Sequence, residues 1–337
     1  MPLTIRDVAK KLNLSITTVS RALDGYSDVA ESTRARVIQT AQEMGYAPSS
    51  AARQLRRHHA DAIGYILPTS SPRFSDPFYA AFLAGISDEA ASRQVDLIVS
   101  SSPPDSDLEK AIYTRWFQSL RVDGMLINRI RARDWRIDFL CEKKVAFATL
   151  GKIPSNEDWP SIVVNERGGF ERLVAHLVEK GHRRIAFIGA DPDLVIHHER
   201  LGGYRQGLEL AGLPFDPNLV EDGDLTEEGG LRAARGLLAR PQPPTAILGC
   251  NDLTAIGVLK AAEEAGLRVG KDLALAGYDG IQQTASTNPP ITTLHQPTYE
   301  IARRLTGMLF TRINGQPLEQ PRIVIEPDLI IRPSTDP

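Results

Sequence analysis

Cysteine is scarce in this 337-residue chain: only Cys141 and Cys250 occur, far apart and without metal-ligand spacing. A disulfide framework is therefore excluded, and buried free thiols are expected. No apolar run approaches the roughly 20 residues that a bilayer-spanning helix needs. The opening Met1-Pro2-Leu3-Thr4 lacks the basic-then-apolar layout of a secretion signal. Together these absences predict a cytoplasmic protein with no membrane partner. The signatures of common α/β enzymes are missing too: no Gly-x-Gly-x-x-Gly after the first strand pattern, no phosphate-cradling loop with lysine, no Gly-x-Ser-x-Gly. His182 and His295 stand alone, Asp105 and Asp107 read as a solvated helix start, and His58-His59 read as solvated linker residues. Catalysis, a cofactor and a metal are not expected.

What is present is ordinary globular composition, 42% hydrophobic and 24% charged, over a length that suits a small domain plus a two-lobed one. The net charge of -3 hides an asymmetry. Residues 1–60 carry nine Lys/Arg against five Asp/Glu, a net of +4, so the remainder carries -7. A basic head on an acidic body suits a head that meets a polyanion.

The head reads as three helices. Thr4 opens the first, with Asp7 three positions on as a capping-box-like acid. Ile5, Val8, Ala9 and Leu12 mark its apolar face. Asn13-Leu14 makes a short turn, which asparagine tolerates in the left-handed conformation. Ser15 caps a second helix, Ile16 to Leu23, with Val19 and Leu23 inward. The small Ala9 lets the two helices approach, giving a helix-turn-helix. A third helix is expected over about Glu31 to Met44, with Val37, Ile38, Ala41 and Met44 inward. Gly45 ends it and Pro48 prevents its resumption.

The runs Thr4-Ile5-Arg6-Asp7-Val8-Ala9, Ser15-Ile16-Thr17-Thr18-Val19-Ser20-Arg21-Ala22-Leu23 and Gly45-Tyr46-Ala47-Pro48 resemble the headpiece of the lactose/galactose repressor family, in order and without gaps. That resemblance implies double-stranded operator DNA as partner, with the second helix in the major groove. Ile16, Thr17 and Arg21 would face base edges. Arg21 suits a bidentate contact to guanine, and Ile16 an apolar contact such as a thymine methyl. Thr4, Ser15, Thr18 and Ser20 would bond phosphates or cap helices, which positions the domain without reading sequence. Three positions depart from the family pattern. Asn13 replaces a usual glycine. Ala30 replaces a capping serine, so the third helix should start weakly. Asp24 replaces a frequent asparagine, and a carboxylate there would repel phosphate unless it faces away.

Residues 48–57 read Pro-Ser-Ser-Ala-Ala-Arg-Gln-Leu-Arg-Arg. Ser49 can cap a helix over Ser50–Arg56 that is too short to be stable alone in water. By resemblance this hinge helix forms on operator DNA against its dimer mate in the minor groove, through Ser49, Ala52 and Leu55. Leu55 would be the wedge that unstacks a flexible base step and bends the duplex.

Beyond residue 60, apolar strand patterns alternate with amphipathic helices. Strands are expected over Ile63–Leu67, Asp96–Ser100, Gly124–Asn128, Val145–Leu150, Arg184–Ile188, Thr245–Gly249 and Leu273–Gly277. Helices are expected over Phe78–Arg93, Arg167–Lys180, Arg200–Ala211 and Leu253–Ala265. The rhythm is that of parallel sheets covered on both faces. The run His182 to Gly189 echoes Ala62 to Leu67, which implies two similar lobes with a ligand cleft between them.

The family resemblance continues through Asp76-Pro77-Phe78-Tyr79, Asp123-Gly124-Met125-Leu126-Ile127, Glu199-Arg200-Leu201-Gly202-Gly203-Tyr204, Cys250-Asn251-Asp252, Gly277-Tyr278-Asp279 and Pro290-Ile291-Thr292-Thr293-Leu294. It implies an α/β body of the type-I periplasmic-binding-protein kind behind the headpiece. The expected layout is 1–47 headpiece, 48–60 hinge and linker, 61–161 plus 292–322 one lobe, and 162–291 plus 323–337 the other. Arg200, Asn251 and Asp279 occupy the family's ligand-gripping positions. An arginine fork, an amide and a carboxylate suit a polyhydroxyl ligand, a mono- or oligosaccharide. Phe74 and Phe78 would supply an apolar face, and Asn128 and Arg129 would point into the cleft. Asn128-Arg129 through Asp138 resembles α-glucoside regulators within the family. Trp159 is expected to pack on its loop neighbours.

The last strand is expected over Glu326–Arg332. No leucine heptad follows it, so a homodimer is expected, with helices such as Phe78–Arg93 at its interface. The resulting expectation is a sequence-specific repressor on a pseudo-palindromic operator, released by a sugar. The rivals are a corepressor-dependent regulator sensing another metabolite, a sugar-binding protein, and an enzyme on the same scaffold.

Overall fold

The computed structural model describes residues 3–46, 59–69, 76–153 and 159–335. The expected hinge helix, with Ser49, Ala52 and Leu55, and the cleft candidate Phe74 lie outside the described residues. The chain divides into two compact units, Met1–Ala60 and Asp61–Pro337.

The first unit holds α1 (Ile5–Leu12), α2 (Ile16–Leu23) and α3 (Glu31–Glu43). The Asp7 carboxylate accepts from the Thr4 amide at 2.9 Å and the Thr4 hydroxyl at 2.7 Å, closing the start of α1. These bonds hold Asp7 below the usual carboxylate range. Asn13 ends α1 at φ 52, the left-handed turn its residue type allows. The Ser15 hydroxyl accepts from the Thr18 amide at 3.0 Å and caps α2. Val8, Val19 and Val37, one from each helix, are fully buried together with Ala9, Ala22, Val29 and Ala41.

Ile38 is a correction: it was expected inward and is 40% exposed. Val37, Ala41 and Met44 complete the inward stripe, and a residue one step on is turned about 100° away. Ala30 supplies no side-chain cap, as expected. Arg34 ties the first turn of α3 to the preceding loop, donating to Glu31 and to the Tyr26 carbonyl, both at 2.7 Å.

The second unit contains two six-stranded sheets. The first runs β11-β5-β4-β3-β1-β2, all parallel, from β1 (Ala62–Pro68), β2 (Asp96–Ser102), β3 (Gly124–Ile127), β4 (Ala146–Leu150), β5 (Ser161–Val164) and β11 (Arg322–Ile325). The second runs β12-β10-β9-β8-β6-β7, from β6 (Ile185–Gly189), β7 (Val220–Asp222), β8 (Ala246–Gly249), β9 (Ala274–Asp279), β10 (Thr292–His295) and β12 (Asp328–Ile330), with only β12 antiparallel. The repeated start is thus real: β1 and β6 hold equivalent places, each next to an edge strand, β2 or β7. Strand order reverses beside each, which leaves a crevice at the carboxyl ends of the strands.

The lobe boundaries need correction. Ser161–Val164 and Arg322–Ile325 lie in the first sheet, whereas Thr292–His295 lies in the second. The chain therefore crosses between sheets three times, at Asn165, at Gln296-Pro297 and at Glu326-Pro327. The last strand is shorter than expected because Pro327 precedes it and has no N–H for a ladder.

Among the helices, α4 (Pro77–Ser92) packs on α12 (Thr298–Ile313). The contact is close at Gly85, where a Cβ would lie 2.3 Å from the Tyr299 carbonyl oxygen. Cys250 is buried, but Cys141 is only half-buried, against expectation.

Candidate functional site

The exposed face of α2 carries the predicted DNA readers. Ile16 is 45% exposed, Thr17 is exposed, and Arg21 lies one turn beyond Thr17 on the same side. Val19 and Ala22 occupy the opposite, buried face. Arg21 is held by its own unit: its guanidinium pairs with Asp28 at 2.5 Å and lies over the Tyr26 ring at 4.8 Å. Ser15 and Thr18 bond each other at 2.8 Å. Ser20 departs from the sequence reading. It is buried, and its hydroxyl donates to Asp24 at 3.3 Å, so it braces α2 rather than facing a phosphate. The Asp24 carboxylate is turned toward that hydroxyl.

In the second unit, a cleft between the sheets gathers residues from both lobes. It is lined by Asp76, Phe78, Asn128 and Arg129 on one side and by Glu166, Arg200, Asn251 and Asp279 on the other. Asn128, Arg129, Glu166, Asn251 and Asp279 sit at or just past a strand end, as the crevice rule requires, whereas Asp76, Phe78 and Arg200 are brought in at or within the helices that follow β1 and β6.

Arg200 is on α8 (Val195–Leu210), which begins five residues earlier than expected. The buried stripe His197, Arg200, Gly203, Tyr204, Gly207 faces inward at helical spacing, but its polar members hide it from an apolar-period search. The guanidinium donates to Glu166 at 2.6 Å and to the Cys250 carbonyl at 2.6 Å, and lies 3.9 Å over the Tyr278 ring. Burial opposes its charge most strongly, but Glu166 together with the neighbouring Cys250, Tyr278 and Asp279 outweighs it, so Arg200 stays a cation. α7 (Glu166–Glu179) presents Glu166, and α8 reaches it because Gly203 has no side chain. A Cβ there would lie 2.2 Å from the Arg167 carbonyl oxygen.

Asn251 caps α10 (Asp252–Glu264). Its Oδ1 accepts from the Thr254 amide at 3.0 Å and the Thr254 hydroxyl at 2.7 Å, while Nδ2 donates to the Leu225 carbonyl at 3.1 Å. Most of its bonding capacity is committed to the scaffold. Asp279 ends β9 at φ 118, a region unfavourable for a side-chain-bearing residue. It accepts from Gln296 Nε2 at 2.7 Å. Burial pushes its carboxyl well above the usual range, against the pull of Arg200. Phe78 is half-buried and stacks on Phe82 at 5.8 Å. Arg129, at φ 50, lies over the Tyr79 ring at 5.5 Å.

Beneath the cleft, Asp252 braces the turn after Asp279. It accepts from the Ile281 amide at 2.8 Å and the Thr293 hydroxyl at 2.7 Å, and burial pushes it up to about 7. Gly277 makes room for it: a Cβ there would lie 2.3 Å from Asp252 Oδ1.

The structure thus joins Phe78, Asn128, Arg129, Arg200, Asn251 and Asp279 in one cleft. Sequence reading missed Glu166, Gln296 and Asp76. A signal existed for the first, since a buried arginine requires a carboxylate. The segment likened to α-glucoside regulators has a structural role. Arg136 is buried against Asp134 at 2.7 Å and donates to the Asn128 and Arg129 carbonyls. Trp159 packs on Phe147 at 4.8 Å between centroids. Among the described residues, no cluster of His, Cys, Asp and Glu could hold a metal, and no helix is long and apolar enough to cross a membrane.

A three-helix unit with an exposed second helix, on the same chain as a two-lobed body with a polar cleft, defines a two-domain regulator. Comparison with known proteins gives its family. A family model described as bacterial regulatory proteins, lacI family, matches residues 4–49, and a periplasmic binding protein-like domain matches 174–335. The transcriptional regulator AglR of Rhizobium meliloti is 34% identical over 100% of this chain and 95% of its own length. The transcriptional repressor CytR of Escherichia coli K12 is 33% identical over 98% of this chain and 96% of its own. The structure of a transcriptional regulator CelR–cellobiose complex superposes with a TM-score of 0.77 at 30% identity, covering 98% of this chain and 99% of that one. The lac repressor dimer bound to operator and the anti-inducer ONPF gives 0.84 at 27% identity over the whole of both chains. This chain belongs to the lacI family of bacterial regulatory proteins.

Proposed function

We propose that the protein is a dimeric repressor that grips a pseudo-palindromic operator and releases it when a sugar enters the cleft. The observation that carries the reading is the convergence of Arg200, Asn251 and Asp279 with the Phe78 ring in a cleft shared by both lobes. That donor, acceptor and aromatic set suits a polyhydroxyl ring. The similarity to a regulator solved with cellobiose supports the ligand class, and the similarity to a repressor dimer solved on operator supports the partner.

Ile16, Thr17 and Arg21 read base edges in the major groove, and Ser15, Thr18 and Thr4 position the unit on phosphates. Arg21 leaves Asp28 to do so. Ser49, Ala52 and Leu55 contact the minor groove of the operator. The sugar must bind the DNA-free state more tightly than the DNA-bound state, with couplings of about 1–3 kcal/mol typical of such switches.

The test is fluorescence anisotropy on an inverted-repeat duplex with and without mono- and disaccharides, alongside a core-only truncation. A sugar that weakens operator binding at least severalfold is the expected result, and the truncation should keep sugar binding while losing DNA. If every sugar leaves operator affinity unchanged while another metabolite raises it, the protein is a corepressor-dependent regulator instead.

A further inference from the structure

Opposite strands of backbone meet across the mouth of the cleft. The loop after β3 and the loop after β6, one from each lobe, form an antiparallel bridge at Arg131 and Leu194. The Val195 amide donates to the Ile130 carbonyl at 2.9 Å, and the Ala132 amide donates to the Asp193 carbonyl at 2.9 Å. Arg131 adds charge to the same junction, with its guanidinium 3.8 Å from Asp191 and 3.9 Å from Asp193.

We propose that this bridge, fastened by Arg131, is a clasp that holds the two lobes shut and whose opening gates the cleft. The inference rests on reading the cleft as the effector site. Two features give the clasp its stiffness. On the first lobe, Asp134 accepts from the Arg131 amide at 3.1 Å and binds Arg136 through both of its carboxylate oxygens. Arg136 in turn donates to two carbonyls of the loop and lies 3.7 Å from the buried Glu109. On the second lobe, Asp191 accepts from the Asp193 amide at 2.9 Å, and Leu194 is buried as the N-cap of α8.

The space behind the clasp explains why it must open. The cleft holds a cavity of about 70 Å³. A water molecule occupies roughly 30 Å³ of liquid, and ligand sites run from roughly 300 Å³ upward. Separation of the lobes would give a sugar ring the room this cavity does not supply by itself. The lobes are joined by covalent chain at Asn165, Gln296-Pro297 and Glu326-Pro327, so widening happens away from those crossings. None of these residues lines the second chamber, of about 240 Å³, that sits against the clasp and is bounded by Arg129, Arg131, Asp191 and Asp224. The clasp also reports directly to the site. Its first arm continues from Asn128-Arg129, and its second arm starts the helix that carries Arg200.

Val195 is the first residue of α8, where proline is accommodated without loss of a helical bond. Leu194 before it is extended at φ -83, ψ 132, as a pre-proline residue requires. Val195→Pro therefore deletes one cross-lobe hydrogen bond and alters the packing of this side chain on the first-lobe core, and Val195→Ala controls for that packing. Arg131→Ala removes the ion pairs separately. The readout is double electron–electron resonance in full-length protein diluted with unlabelled protein. Spin labels go on Leu108→Cys and Glu228→Cys, exposed positions on either lobe, in a Cys141→Ser background.

Without any added ligand, the parent and Val195→Ala should give one narrow distance. Val195→Pro and Arg131→Ala should each add a longer population, and the double variant should be dominated by it. Distance distributions identical to the parent in all three would overturn the clasp. No effector or DNA enters the measurement. A failed sugar screen therefore leaves the clasp standing, and an unchanged distance leaves the sugar reading standing.

Discussion

Arg21 in the headpiece and Arg200 in the body each face a carboxylate, with opposite consequences. The Arg21–Asp28 pair is close to half-exposed on both sides, so water screens it and either partner can leave. The Arg200–Glu166 pair is almost sealed from solvent, so each partner is needed to neutralise the other. The headpiece spends its core on small apolar residues and keeps its reading side chains outside. The body places its reading side chains inside and must satisfy each with internal bonds. A surface that meets a large polyanion can remain solvated until contact, whereas a cleft that closes on a small molecule cannot.

Removing one partner of the buried pair tests the contrast hardest. Arg200→Leu strands Glu166 and the Cys250 carbonyl, and should destabilise the body by about 3–5 kcal/mol. Denaturant unfolding of the core measures this, and a loss below about 1 kcal/mol would make the buried pair no different from a surface one.

The second effect is of pH. Asp252 stands at about 7 in the fold against an ordinary 3.8, because burial favours its neutral form. A raised carboxyl contributes stability that is complete below about pH 4 and is lost as pH rises through 7. The loss amounts to a few kcal/mol at most across that interval. Asp279 acts in the same direction. Thermal unfolding of the core from pH 5 to 8 should show a steeper decline in the parent than in Asp252→Asn, and equal slopes would count against this assignment.

Within the headpiece, Val19→Ala removes fully buried methyl groups and should cost about 2 kcal/mol. Two-probe unfolding should show the headpiece transition shift while the body transition stays. A shared shift would mean the two units unfold together.

Asp28→Asn is the mildest change. Stability should move by no more than about 0.5 kcal/mol. Duplex affinity should rise and its salt dependence steepen, because Arg21 is freed and a carboxylate is removed beside the phosphates. Arg21→Ala should lower affinity for the operator by about 1–3 kcal/mol, more than for random duplex.

Local chemistry was legible wherever neighbours in sequence decide the outcome. Thr4 with Asp7, Asn13 at the turn and Ser15 at the start of α2 follow from residue type at a fixed offset. Ile16 was read as outward because Val19 and Leu23 already supply an inward face. Ile38 failed the same test, since three other residues of its helix completed the stripe. Ser20 read as a phosphate contact because nothing local shows that its hydroxyl is buried against Asp24. The eight expected strands emerged to within two residues at each end, whereas Ser161–Val164, Val220–Asp222, Thr292–His295 and Arg322–Ile325 were not expected as strands. The lobe assignment of Thr292–His295 did not emerge, because sheet membership is a matter of distant partners.

The cleft divides in the same way. The residue types at Arg200, Asn251 and Asp279 were visible along the chain, as were the alternating strands and helices and the basic head. Pattern, capping and composition act over a few residues, so order along the chain is enough to determine them. Which carboxylate neutralises Arg200, how much of Asn251 is spent on capping, and where two loops meet across the cleft mouth were decided only by folding. Those outcomes depend on groups dozens of residues apart being brought within hydrogen-bond reach and out of water, and burial is a property of the assembled lobes.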